Sequence, residues 1–154
     1  MEQILDIHYQ QYTIDSLPVA DRSLVDAAKE ATKTAYAPYS HFSVGAALRL
    51  ADGTVVKGSN QENVAYPSGL CAERTAMFAA SSQHAGVAFD AIAIVACNPE
   101  GKIVGASPCG ACRQVMMEYE THFGHKIRVV TYFSDDKILI FDGVESLLPF
   151  AFAM

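Results

Sequence analysis

An α/β fold, with a mixed sheet of about five strands flanked by helices, is what the sequence predicts, and three observations carry that prediction. Segments whose apolar residues recur at spacings of three and four alternate with short apolar runs of strand length. Helical segments stand between the later strands, where parallel neighbours need crossover connections. The chain has 154 residues, 51% hydrophobic and 18% charged, which is enough to bury one sizeable core and too apolar for disorder. No internal repeat, low-complexity tract or linker divides it, so a single domain over 1–154 is expected, with residues 1–20 as an N-terminal extension.

The opening segment, with Ile4, Leu5, Ile7, Tyr9 and Tyr12, half-alternates like an edge strand before Pro18 interrupts it. A helix follows from residue 23 to about 36, where Leu24, Ala27, Ala28, Ala31 and Ala35 form one face and Pro38 stops the pattern. Two strands, 43–50 and 54–59, flank Asp52-Gly53, a dipeptide suited to the positive φ of a hairpin turn. After a polar loop at 60–69, a helix is predicted over 71–82 and a buried strand over 89–97, ended by Pro99. A further helix covers 109 to about 119, then strands lie near 127–133 and 138–141, with Asp142-Gly143 as a turn signal and a short helix around 145–148.

Eleven basic against seventeen acidic residues give a net charge of −6, with no Lys/Arg run, which removes the electrostatic footprint of a polynucleotide binder and favours small or neutral ligands. No apolar run has the length of a membrane span, so no membrane partner is expected. The start, MEQILDIHYQ, lacks a basic region leading into an apolar stretch, so a reducing cytoplasm is the expected setting and structural disulfides are disfavoured.

Closely spaced cysteines then read as metal ligands or catalysts. Cys109-Gly110-Ala111-Cys112 alone is either a zinc half-site or a redox pair. The irregular lead-in through Gly105 and Ser107-Pro108 weakens the redox reading, and Cys71, also placed where a helix begins, strengthens the metal one. Two helix N-termini would face one ion, each stabilising thiolate charge. Three protein ligands leave a fourth position open for water, as catalytic zinc requires. Three thiolates around Zn²⁺ leave a net negative site, for which Arg74 and Arg113 are the candidate compensating charges through N–H donors to sulfur. Cys97, inside the apolar run AIAIVAC, reads as a small buried hydrophobe. Glu73, two residues after Cys71, reaches the same site only if both lie in the first helical turn. Its ordinary reading is an acid complementing a helix start. With a Pro-Cys-x-x-Cys downstream, it takes the form of the non-ligand proton carrier of nucleobase deaminases.

Cys71-Ala72-Glu73-Arg74-Thr75-Ala76 and Ser107-Pro108-Cys109-Gly110-Ala111-Cys112-Arg113-Gln114 resemble the two zinc motifs of the small homotetrameric cytidine deaminases. The stretch from Tyr36 to Ala47 resembles that family's first block, Asn60-Gln61-Glu62-Asn63 its ribose-binding N-x-E-N loop, and Leu147-Leu148-Pro149-Phe150-Ala151-Phe152 its C-terminal L-L-P-x-A-F. The resemblance runs in order from about Tyr36 to the end. Two departures stand out: Tyr66-Pro67-Ser68-Gly69-Leu70 replaces the more usual Y-G-L-T-x, and Phe150 stands where Gly is usual.

The resemblance implies a three-layer cytidine deaminase-like fold and one Zn²⁺ per chain, held by Cys71, Cys109 and Cys112, with Glu73 as catalytic proton carrier. It implies Asn60 and Glu62 on the ribose 3′-hydroxyl, the Ala72 backbone and Glu73 on the pyrimidine edge, Phe42 against the ring, and Tyr66 in the substrate pocket. It further implies a nucleoside substrate, cytidine or 2′-deoxycytidine in pyrimidine salvage, and a homotetramer with shared sites in which Phe152 closes a neighbouring subunit's pocket. Three alternatives stand beside it: a deaminase of a related aminopyrimidine nucleoside, a non-catalytic zinc module completed by Cys97, and a polynucleotide-editing deaminase, which the charge disfavours. The five histidines show no metal spacing and read as surface or loop residues.

Overall fold

The apolar run at 89–97 becomes β4 (Phe89–Cys97), buried along most of its length, and the sheet is built outward from it. The computed structural model describes residues 1–134 and 136–152; residues 135, 153 and 154 of the expected 1–154 domain lie outside the described residues. β2 (Ser43–Leu50) and β3 (Val55–Ser59) form the expected hairpin, turning at Gly53, whose φ of +88° is the left-handed conformation that glycine tolerates. Beyond them in the chain lie β5 (Ile103–Val104), β6 (Arg128–Ser134) and β7 (Lys137–Phe141), with β1 (Gln10–Tyr12) near the start. The strand order is β1-β7-β6-β4-β2-β3, with β5 paired to β4, and β4 and β6 are parallel while the other pairs are antiparallel.

The sheet is thus mixed, but it has seven strands and not about five. The strand with no counterpart in the sequence pattern is β5, whose two residues are too short to show any periodicity. The edge strand expected near the start is confined to Gln10–Tyr12; Ile4, Leu5 and Ile7 before it are exposed.

Side chains alternate across the sheet and separate two helical layers. On one face Ala47, Ala93, Val95, Val130 and Ile140 meet Leu24, Val25 and Ala28 of α1 (Val19–Ala31). On the other, Leu48, Ile92, Ile94 and Val129 meet Ala76 and Met77 of α2 (Ala72–Gln83) and Met116 of α3 (Gly110–Phe123). α1 begins four residues earlier than the pattern suggests, because Pro18 caps its start. It ends at Ala31, the remainder being a 3₁₀ turn, Thr32–Thr34. The closing helix is likewise a single 3₁₀ turn, Val144–Ser146.

Two glycines set how closely the helices lie on the sheet. A Cβ on Gly45 would stand 2.1 Å from the Ala28 carbonyl oxygen of α1, and one on Gly58 would stand 2.4 Å from the Ala76 nitrogen of α2. Among the described residues, no helix is long and apolar enough to cross a membrane.

Glu120 on α3 joins two loops: its Oε1 accepts from the backbone N–H groups of Ile127 at 2.7 Å and Val144 at 3.0 Å. Burial pushes its carboxyl up from the ordinary range, although those two donors favour the ionised form. An acid with a raised folded pKa contributes stability at low pH that is lost as pH rises through that pKa. Glu120→Gln keeps an Oε1 acceptor for both N–H groups and removes the charge. Urea midpoints of variant and wild type should therefore nearly coincide at pH 4, with the variant more stable at pH 8; a less stable variant at pH 8 would contradict this account.

Candidate metal and substrate site

The antiparallel registers Ser43↔Cys97 and Gly45↔Ser59 bring the start of β2 and the ends of β3 and β4 to one end of the sheet. α2 and α3 begin at the same end. Cys71 and Cys109 are their N-cap residues, both in extended conformation and neither using its side chain as a cap. The helices are closed by main chain instead, with the Cys71 carbonyl accepting from Thr75 and the Cys109 carbonyl from Arg113. Both sulfurs are left to face each other, 3.7 Å apart. Cys112, one turn into α3 and buried, completes a group of three sulfurs all within 4.8 Å of one another.

This donor set fits zinc. A tetrahedral Zn–S shell with bonds of about 2.3 Å places sulfurs about 3.8 Å apart, close to the separation of Cys71 and Cys109. Without a cation the thiols cannot all ionise. The Cys112 thiol, donating to Cys71, and the Arg74 guanidinium pull Cys71 down to about 5. Cys112, the proton's owner, is pushed far up by that same interaction, with burial and the nearby Glu73 carboxyl adding to it. A divalent ion is what would let the three act together as thiolates.

Arg74 stands where compensation is needed, its Nη2 donating to Cys71 Sγ at 3.6 Å. Arg113 does not fill the role read for it. Its Nε donates to the Pro108 carbonyl and its Nη1 to the Leu147 carbonyl, each at 2.8 Å, so the guanidinium ties backbone together. Cys97 stands apart from the cluster, half-buried, its thiol 3.9 Å from Thr32 Oγ1, which removes the four-thiolate zinc module. All four cysteines are free.

Glu73, the second residue of α2, is 4% exposed. Burial raises its pKa, and negative charge on Cys71 adds to the shift, so its protonated form is favoured. It opens into a cavity of about 950 Å³ that is also lined by Phe42, Asn60, Glu62, Tyr66, Ala72 and two of the three cysteines, Cys71 and Cys109. The structure therefore brings nearly all the candidate residues to one pocket. Cys112, Arg113 and Phe152 do not line it.

The rim is held by its own polar groups. Asn60 accepts from the Val44 N–H at 2.8 Å and donates to the Phe42 carbonyl at 2.9 Å. The Glu62 carboxylate accepts from the N–H groups of Tyr39 and Ser40 and from the Ser40 hydroxyl, which holds it below the usual carboxylate range. Tyr66 heads a 3₁₀ turn, Tyr66–Ser68, and meets Tyr39 edge-on at 6.1 Å. Tyr39 and Ser40, which serve Glu62, were not singled out by sequence reasoning; the signal was their place in the Tyr36–Ala47 block. Phe152 is 74% exposed, its backbone paired with the Gln114 side chain.

Residues 18–124 match the family model described as the cytidine and deoxycytidylate deaminase zinc-binding region. A cytidine deaminase of Sporosarcina psychrophila is 53% identical over 97 residues, which is 62% of this chain and 67% of that protein. One from Mycobacterium tuberculosis is 40% identical over 104 residues, 66% of this chain and 74% of its own. Among solved structures, cytidine deaminase from Burkholderia pseudomallei superposes with a TM-score of 0.71 at 43% identity, covering 84% of this chain and 97% of that one. The Mycobacterium tuberculosis enzyme does so with a TM-score of 0.69 at 34% identity, covering 89% and 100%.

Single Cys→Ala variants separate ligands from bystanders. Cys71→Ala, Cys109→Ala and Cys112→Ala should each lose most bound zinc by metal analysis, whereas Cys97→Ala should retain the wild-type content. Equal loss in Cys97→Ala would contradict the three-sulfur site.

Proposed function

The chain belongs to the zinc-binding cytidine and deoxycytidylate deaminase family, and from that premise we propose that it hydrolyses cytidine and 2′-deoxycytidine to uridine and 2′-deoxyuridine, releasing ammonia. The observation that carries this reading is a nearly buried carboxyl, Glu73, at the same helix start as one of three clustered thiols, opening into a pocket roomy enough to admit a nucleoside.

Cys71, Cys109 and Cys112 would hold the zinc, whose Lewis acidity would make hydroxide available near neutral pH. The chain's own residues do the rest. Glu73 takes the proton released as water adds to C4, delivers it to N3, and then carries a second proton to the departing amine. The burial that raises its pKa suits it to both halves of that shuttle. Arg74, donating to Cys71, offsets negative charge on the sulfurs. The Ala72 backbone and Glu73 read the pyrimidine edge, Phe42 packs on the ring, Tyr66 borders the pocket, and Asn60 and Glu62 take the ribose 3′-hydroxyl. Because Asn60 and Glu62 are already fixed by main-chain partners, they meet the sugar without further ordering.

Charge favours the nucleoside over its 5′-phosphate. The cationic side chain lining the pocket is Arg74, already on Cys71, while Glu62 and Glu73 are acidic. A phosphate group would meet the Glu62 carboxylate and, among the described lining residues, no cation other than Arg74. The same reading covers residues 1–154 as one domain, into whose sheet and helical layer residues 10–20 are built, and places the enzyme in the cytoplasm, in pyrimidine salvage. Its assembly is a homotetramer in which the exposed Phe152 closes a neighbour's pocket.

Glu73→Gln is expected to reduce turnover of cytidine by at least about a hundredfold, the scale of lost general acid–base catalysis, with zinc content and unfolding midpoint kept. Substantial residual activity would refute the role. In an ultraviolet assay of the wild type, cytidine and 2′-deoxycytidine should be deaminated and 2′-deoxycytidine 5′-phosphate should not. Efficient turnover of the phosphate would contradict the charge argument.

A further inference from the structure

We propose that Gln114 is a positioning residue whose side-chain amide clamps the backbone of Phe152 and so sets where the last aromatic ring of the tail is presented. The proposal rests on the reading above in which Phe152 serves a neighbouring copy's pocket. Gln114 Nε2 donates to the Phe152 carbonyl at 2.8 Å, and the Phe152 N–H donates to Gln114 Oε1 at 3.2 Å. One primary amide thus gives a donor and an acceptor to a single residue, reproducing a rung of a β-ladder. A grip on main chain leaves the side chain uncommitted, and Phe152 as a whole is 74% exposed.

The clamp does not act alone. Arg113, next in sequence, donates to the Leu147 carbonyl and to the Pro108 carbonyl just before Cys109. Consecutive residues of α3 therefore hold the tail at 147 and at 152, from the same turn that carries Cys112. Leu147 and Leu148 pack on the core, which fixes the start of the tail. Beyond them the described hydrogen bonds of residues 149–152 are the two made to Gln114. Terminal segments without such ties fray. Gln114 is half-buried on a helix surface and does not line the pocket, so its effect on the reaction passes through Phe152.

Releasing the clamp lowers the fraction of molecules with the ring in place, and apparent affinity falls with that fraction. Substrate restores the closed arrangement at saturation, so KM should move and kcat should hold. Gln114→Ala is expected to raise KM for cytidine about tenfold, the scale of two modest hydrogen bonds, with zinc content unchanged. A purely structural role would lower the active fraction and the melting temperature and leave KM alone. Phe152→Ala and the double variant complete a cycle: the double should be no worse than Phe152→Ala. If Phe152→Ala is impaired while Gln114→Ala keeps the wild-type KM, or if the two effects add fully, the clamp is overturned and the reading of Phe152 survives. If Phe152→Ala is itself neutral, both fall. Should Gln114→Ala fail to fold, Gln114→Glu keeps the acceptor for the Phe152 N–H and loses the donor to its carbonyl. That variant sets a carboxylate oxygen against the Phe152 carbonyl, so KM should rise at least as far as in Gln114→Ala, and a wild-type value overturns the clamp equally.

Discussion

Three sulfur atoms within 4.8 Å of one another are the constraint on which the rest of this molecule depends. As thiolates they repel, and the geometry is stable only if a cation, helix dipoles and a guanidinium share the charge. That requires two helix starts to converge, and the convergence is set by the close packing of main chain on main chain. α2 must lie almost on the main chain of β3, which is possible because residue 58 has no side chain: a Cβ there would stand 2.6 Å from the Ala72 carbonyl oxygen. A larger residue would lift the first turn of α2, moving Cys71 and Glu73 together away from α3.

The substrate side of the pocket follows the same logic by other means. Asn60 and Glu62 spend part of their hydrogen-bonding capacity on the main chain of residues 39–44, so the loop that carries Phe42 is held by the side chains read as sugar contacts. His41, in that loop, adopts a left-handed φ of 54°, a conformation that needs such surrounding support. Ligand recognition and loop order are thereby properties of one hydrogen-bond set.

Much of this was legible in the sequence where period or chemistry was strong. The nine-residue run of β4, the Asp52-Gly53 hairpin and the helix starts at Cys71 and Cys109 came out within a residue or so. What was missed had no local signature. β5 exists because β4 runs past the end of β6 and leaves Ala96 and Cys97 free to pair, which is tertiary information. Arg74 and Arg113 looked equivalent by closeness to cysteines. They differ because Arg74 follows Cys71 by three positions, on the same helical face, whereas Arg113 adjoins Cys112 and turns toward carbonyls across α3. Gln114 stood in the second zinc motif without a role of its own, and Glu120 had no signature at all, since a lone acid or amide on a helix reads as solvated surface until the segments it joins are known.

The three residues of β1 have a consequence out of proportion to their number. They pair with Ile138, Leu139 and Ile140 of β7, and Arg128 secures the junction by bonding Asp21, Asp142 and Gln10 together. Without them β7 would offer open backbone donors and acceptors beside a strongly apolar stretch, the arrangement through which sheets of separate molecules fuse into aggregates. The opposite border, β3, carries its own deterrents: Lys57 at mid-strand and only five residues of length. This short strand acts as a guard on solubility, keeping the sheet from growing past the molecule that made it.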